Sequence, residues 1–282
     1  MPAKILVSTA VLGALVVFLA ANVGEFKAYA TMSDANEQKL RSIVSDDHRE
    51  PNNAVRDEYR HPVEVLKFFQ LRDDMSAMEI WPAGGWWTEI LAPYLTENGK
   101  YVAAHFPDQG DSSYYSRSLN SFKNKISDDP ENYGAVTLTS LMPSAGIDEP
   151  VQKGSMDIVL TFRNLHNWMA SGSEREMIQI AHNSLKRGGL LGVVEHRAAS
   201  GTPQDPKAKS GYVREDFAID LIESLGFKLI AKSEINANAK DTKDYPGGVW
   251  TLPPSYREGD VNRDKYAEIG ESDRFTLLFQ KQ

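Results

Sequence analysis

Three of the six histidines of this 282-residue chain fall where an open α/β sheet could use them for proton transfer. His105 closes the apolar run 101–105, His196 follows the run 190–195, and His166 lies just beyond the run 156–162. Imidazole is the side chain whose ordinary titration lies near neutrality, so it suits a general base at pH 7. Carboxylates stand beside two of these places. Glu79 sits among Met78, Ile80 and Trp81, and Glu195 precedes His196 and Arg197. Glu195 could orient or charge-pair His196 or Arg197, or form a plain strand-end salt bridge. Any one of the histidines could equally be a surface or capping residue. All three at strand ends point to one cleft. The same donors, His105, His166 and His196 with Glu195 or Asp108, are also a conceivable metal set. No His-x-x-x-His pair supports it, and no metal is expected.

The elements that would position these residues follow from the apolar pattern. From Ser76 onward strands are predicted at 77–81, 101–105, 135–138, 156–162, 190–195, 227–234 and 274–280. Helices are predicted between them at 86–95, 113–126, 173–185 and 214–224. Such alternation makes a parallel sheet, whose ligands sit at the carboxyl ends of the strands. The first strand ends in Trp81-Pro82-Ala83-Gly84-Gly85-Trp86, a turn that feeds a helix N-terminus. Pro82 stops the ladder, and the glycines allow close approach of a ligand to the backbone. Gly188-Gly189 and Gly226 read as turns after helices. Ahead of the sheet, helices are predicted at 33–45, from Asn53 to Arg60, and from His61-Pro62 onward. Arg49, Tyr59 and Arg60, near His48 and His61, are placed to close the cleft from above. The long segment 236–270 is read as an ordered lid because of Trp250 and Tyr256. Tyr114, Tyr115, Phe122, Trp168, Trp250 and Tyr256 are candidates for the wall of an acceptor pocket.

A net charge of −8 argues against a nucleic-acid surface. The absence of cysteine excludes disulfides, thiolate ligands and a cysteine nucleophile. Met1 to Lys4 is a short basic start, and Ile5 to Ala21 is an apolar run. Ala28-Tyr29-Ala30 fits a cleavage site. Residues 1–30 are therefore read as a signal peptide, with an inner-membrane anchor as the alternative. The body is expected to be exported, in the periplasm, and to touch the membrane only through this segment.

Three segments together resemble the class I S-adenosylmethionine (SAM)-dependent methyltransferases. Glu79 to Gly85 is similar to their acid and Gly-rich first motif. Asp157 to Trp168 resembles the fourth-strand motif, including the Leu-His-Asp/Asn-Trp signature of small-molecule O-methyltransferases. Leu185-Lys186-Arg187-Gly188-Gly189 resembles the turn before the fifth strand. The likeness is greatest to exported predicted methyltransferases with a Glu-Ile-Trp-Pro-x-Gly-Gly-Trp first motif. It implies a Rossmann-like α/β fold of seven strands, the last antiparallel, over 62–282, with a helical extension over 31–61. It implies SAM as cofactor, held by Glu79, Ala83, Gly84, Gly85, His105 and Asn164. His166 becomes the general base, and Trp168, Glu195, His196 and Arg197 border a small hydroxylated acceptor. The chain departs from the pattern where Trp81 and Ala83 replace glycines, and where His105 replaces the acid that usually ends the second strand. A protein that keeps the fold and binds another small ligand at the strand ends is the alternative.

Overall fold

The structure is a computed structural model describing residues 17–18, 32–110 and 113–282. A two-residue strand, β1 (Val17–Phe18), comes first; the remainder of the proposed export segment lies outside the described residues. Four short helices follow: α1 (Asp34–Val44), α2 (Pro51–Ala54), α3 (Asp57–Arg60) and α4 (Pro62–Phe68). Ser33 caps α1 by accepting from the Asn36 N–H, and Pro62 sits in the first turn of α4. Then come β2 (Ser76–Ile80), α5 (Thr88–Leu95), β3 (Lys100–His105), α6 (Tyr114–Asp128), α7 (Pro130–Tyr133) and β4 (Thr137–Ser140). The second half runs β5 (Met156–Phe162), α8 (Leu165–Ser171), α9 (Glu174–Ser184), β6 (Leu185–His196), α10 (Glu215–Glu223), β7 (Phe227–Ser233), α11 (Arg263–Ile269) and β8 (Arg274–Lys281).

The strands form one sheet in the order β1-β7-β8-β6-β5-β2-β3-β4. Strands β2 to β6 pair in parallel, and β8 inserts antiparallel between β6 and β7. This is the expected seven-stranded arrangement with its last strand antiparallel. Strand β1 adds to the free edge, pairing Val17 with Lys232 and Phe18 with Ala231. The chain order reverses between β2 and β5, so a crevice opens at their carboxyl ends. Two apolar clusters cover the faces. One holds Met78, Ile80, Val159, Leu191 and Phe279, the other Leu66, Phe69, Ile90, Leu160 and Leu278. Alternate residues of one strand go to opposite clusters, as the pleat requires. No helix among the described residues is long and apolar enough to cross a membrane.

Several elements differ from the sequence reading: the helix expected from Asn53 to Arg60 is split into α2 and α3, and α11 lies within the segment read as a lid. Strand β6 begins at Leu185 rather than Leu190. Its first residues bulge against β5, with the register shifting between Met156 and Ile158 and Gly188 at φ +74°. The predicted helix at Ser173 is preceded by a second one, α8, which Gly172 ends at φ +74°. That short helix carries His166 into the crevice.

The extension docks on α5 through polar contacts. Within the extension Arg49 donates twice to Asp57, at 2.6 and 2.9 Å, and once to Val44 O at 2.9 Å, and its Nε lies 3.6 Å from Glu89 Oε2 of α5. The Asn53 amide and Lys125 Nζ each donate to the buried Glu89 Oε1, both at 2.7 Å. His48 Nε2 donates to Glu89 O at 2.7 Å, so His48 is a docking residue.

Candidate functional site

The turn after β2 is held in an unusual backbone shape. Trp81 and Ala83 adopt φ +52° and +51°, a region that is unfavourable for L-residues by about 1–2 kcal/mol each. Hydrogen bonds compensate. Trp81 N–H donates to Ala104 O at 2.9 Å and the Trp81 indole N–H to Leu141 O at 2.9 Å. The Asn164 amide donates to Ile80 O at 2.9 Å, and His105 Nε2–H donates to Ala83 O at 3.0 Å. The loop is thus tied to β3, to the segment after β4, and to the end of β5.

Beside this loop lies a cavity of about 510 Å³. Its lining brings together Glu79, Ala83, Asn164, His166 and His196 of the expected site residues. Aromatic residues Trp81, Phe106, Tyr114, Tyr115 and Trp250 border it as well. The size is within the range of small-ligand pockets. Gly84, Gly85 and His105 are not in the lining. A Cβ on Gly85 would point at Phe122 and Lys125, away from the cavity. Both His105 nitrogens are committed, because Nδ1 accepts from the Phe106 N–H at 2.8 Å. The cofactor contact expected of His105 therefore has no free nitrogen. Trp168 is packed in the core, 6.2 Å from the Trp81 ring. Arg197 is bound by Glu215, Glu234 and Asp273. Neither residue borders the cavity. Phe122 and Tyr256 also lie outside it, whereas Tyr114, Tyr115 and Trp250 belong to it.

Glu195 is fully buried behind the histidines and organises them. Its Oε1 accepts from His166 Nδ1–H at 2.9 Å and from the His196 N–H at 2.7 Å; Oε2 accepts from the His166 N–H at 3.1 Å. This fixes the His166 tautomer and leaves Nε2 as the lone-pair nitrogen. His166, Glu195 and His196 do gather closely enough to invite a metal reading. The carboxylate lone pairs are already engaged in three hydrogen bonds, which disfavours it as a ligand. His196 Nδ1 is hydrogen-bonded to Ser272 Oγ. Burial, then the nearby His166, Arg163, Arg274 and Arg60, pushes the His196 imidazole well below its ordinary range. It is neutral at pH 7 and does not compete with His166 for a proton.

Glu79 and Glu271 are the acids in the cavity lining. Burial pushes the Glu79 carboxyl up to about 7, while the Tyr101 hydroxyl pulls the other way by donating to Oε2 at 2.5 Å. Thr88 Oγ1 lies 2.9 Å from the Tyr101 oxygen and completes the chain. Among the described residues Glu79 Oε1 has no such partner, and it is the acceptor this acid offers a ligand.

The segment expected to be a lid covers this region. Val249, Trp250, Pro253, Pro254 and Ser255 line the cavity, and the Trp250 ring stands edge-on to His166 at 5.7 Å. Arg257 stacks on Trp250 at 4.5 Å, and Val249 N–H donates to Ser210 O at 2.9 Å. From the N-terminal side Arg60 joins the lining, as anticipated. Arg56, Arg163, Glu271 and Ser272 join it unanticipated. Arg163 directly precedes Asn164 in the fourth-strand motif, and Arg56 precedes Arg60 by one helical turn. Those spacings were the available signal.

No protein-family model matches the chain, and no curated protein does. Solved structures do match in fold. A SAM-dependent methyltransferase from Aquifex aeolicus aligns with a TM-score of 0.56 at 13% identity, over 87% of this chain and 98% of that one. The cyclase SpnF aligns with a TM-score of 0.55 at 12% identity, over 87% and 92% of the two chains. At such identities the likeness establishes the fold: this chain has the architecture shared by a SAM-dependent methyltransferase and a cyclase.

Proposed function

We propose that the protein is a SAM-dependent methyltransferase that uses His166 as general base on a small hydroxylated acceptor. The observation that carries this reading is the Glu195–His166 pair, whose imidazole lines the same cavity as Glu79, Ala83 and Asn164 while Glu195 holds it from behind. The residues present fit the cofactor in charge and shape. SAM carries an ammonium and a sulfonium, and Glu79 offers a carboxylate oxygen for a cation. Its adenine is flat, and Phe106, Tyr114 and Tyr115 offer ring faces on the β3 side. When bound, SAM supplies an electrophilic methyl carbon.

The chain's own residues supply the rest. His166 Nε2 accepts the acceptor's hydroxyl proton and so raises its nucleophilicity. Glu195 keeps the ring oriented and stabilises the positive charge that the ring gains. Trp250 and the segment around it keep water from the imidazole. His196, neutral, borders the acceptor space without taking the proton.

Calorimetric titration with S-adenosylhomocysteine tests the cofactor, and absence of heat with folded protein removes it. With an acceptor in hand, His166→Ala should lower kcat by about 10²–10⁴-fold in a protein that remains folded. Full turnover in that variant removes His166 as the base.

A further inference from the structure

The residues just assigned leave one strongly charged part of the cavity without a role. Arg56, Arg60 and Arg163 all line it. Arg60 is only 2% exposed, and its Nε, Nη1 and Nη2 are all buried without a hydrogen-bond partner. Arg56 Nη2 is buried and unpartnered as well. The Arg163 guanidinium has no hydrogen-bond partner among the described residues, and its backbone sits at φ +61°.

Glu271, Asp273 and Glu195 are already engaged, and Glu79 meets Arg60 only through space, with no hydrogen bond between them among the described residues. Glu271 Oε1 accepts from Arg56 Nε at 2.6 Å, and Oε2 lies 3.1 Å from Arg274 Nη1. Arg60 Nε is left 3.7 Å from that second oxygen, an ion pair too long for a hydrogen bond. Asp273 is bound by Arg197 and Lys243, and Glu195 by the two histidines. The indole of Trp86, 4.4 Å from the Arg60 guanidinium, offers a ring face but no hydrogen-bond acceptor. A buried guanidinium in this state is strongly unfavourable unless something satisfies it.

We propose that Arg60, Arg56 and Arg163 form an oxyanion subsite, and that the methyl acceptor carries a carboxylate or phosphate group that docks there. The planar guanidinium fork matches both groups through paired hydrogen bonds. Arg60 acts electrostatically on His196 and on Glu79, so the subsite adjoins the histidine pair. An acid anchored on it would present its hydroxyl toward His166. This deepens the reading above by giving the acceptor its charge, but the anion subsite itself stands without SAM. The SAM carboxylate has the same chemistry, and the test must separate the two sources.

The probes are inorganic phosphate and acetate, titrated calorimetrically into the full-length protein, alone and saturated with S-adenosylhomocysteine. Phosphate, acetate or both should bind the wild type. Arg60→Met should weaken that binding by about tenfold or more. Saturation with S-adenosylhomocysteine should leave it within about twofold. The circular dichroism spectrum and melting curve of Arg60→Met, recorded alongside, establish that the variant is folded. Failure of both anions to bind the wild type overturns the proposal. So does unchanged anion binding in Arg60→Met, or displacement of the anion by S-adenosylhomocysteine, which would assign the arginines to the cofactor carboxylate. If Arg60→Met does not fold, the less buried Arg163→Gln carries the same expectation and the same refutation. If S-adenosylhomocysteine itself does not bind, the methyltransferase reading falls and the anion result stands or falls separately.

Discussion

Glu79 and Glu271 line the same cavity, are 3% and 4% exposed, and hold their protons very differently. Burial lifts the Glu79 carboxyl to about 7, with the Tyr101 hydroxyl and, less, the Arg60 charge opposing the rise. Burial acts in the same direction on Glu271, but Arg274, Arg60, Arg56 and Arg163 outweigh it and hold that carboxyl at about 2. Residue type and burial are shared, so the neighbours make the difference. The cavity is therefore electrically divided. At the end by β2 the acid feels Arg60 through space without being held down by it, and the end by β8 has more guanidinium than carboxylate. A cationic cofactor at the first end and an anionic acceptor at the second would complete both.

The largest effect should come from Glu271→Gln. A carboxyl depressed from 4.5 to about 2 stabilises the fold by about 3 kcal/mol, fully present above pH 4.5 and lost as pH falls through about 2. Urea unfolding at pH 7 should show that deficit, and the gap to wild type should narrow in acid. A variant as stable as wild type at pH 7 would mean that Glu271 does not hold the arginines together. A smaller effect concerns Glu79. Its raised carboxyl is neutral below about 7, so affinity for S-adenosylhomocysteine should weaken as pH falls, by up to about tenfold per unit. Glu79→Gln should bind weakly with a flat profile, and a flat wild-type profile would detach Glu79 from the cofactor. The smallest effect belongs to Tyr101→Phe. Loss of the hydroxyl that stabilises the Glu79 anion should move the same pH midpoint upward, by less than about one unit. A downward shift would contradict the assigned hydrogen bond.

The sheet was legible because each strand is an apolar run long enough to be buried on both faces, bounded by turn residues. Strand order needed more than periodicity and came from the resemblance at Glu79–Gly85, 157–168 and 185–189. His166 and His196 could be placed near the cleft because residues at strand ends are fixed by the sheet. His105 satisfies the same rule, yet a half-turn of loop geometry gave both its nitrogens to the backbone. Trp168 follows His166 by two positions on α8, which turns it toward the core instead of the cavity. The arginine subsite was the least legible part. Its members come from α3, from the residue before it and from the residue after β5, and no local pattern links them. Arg60 alone was singled out, from its position beside His61.

The helices ahead of the sheet supply Arg56 and Arg60, half of the guanidinium groups around Glu271. They also supply Asn53 O, which accepts from the Trp86 indole N–H at 2.9 Å, so the ring under Arg60 is held from that side. A recombinant form starting at Pro62 would keep all seven principal strands and both histidines. It would nonetheless have an open roof and a weakened anion site. For this protein the boundary drawn by topology and the boundary of the working unit fall in different places, and truncations chosen by fold homology would cut through the second.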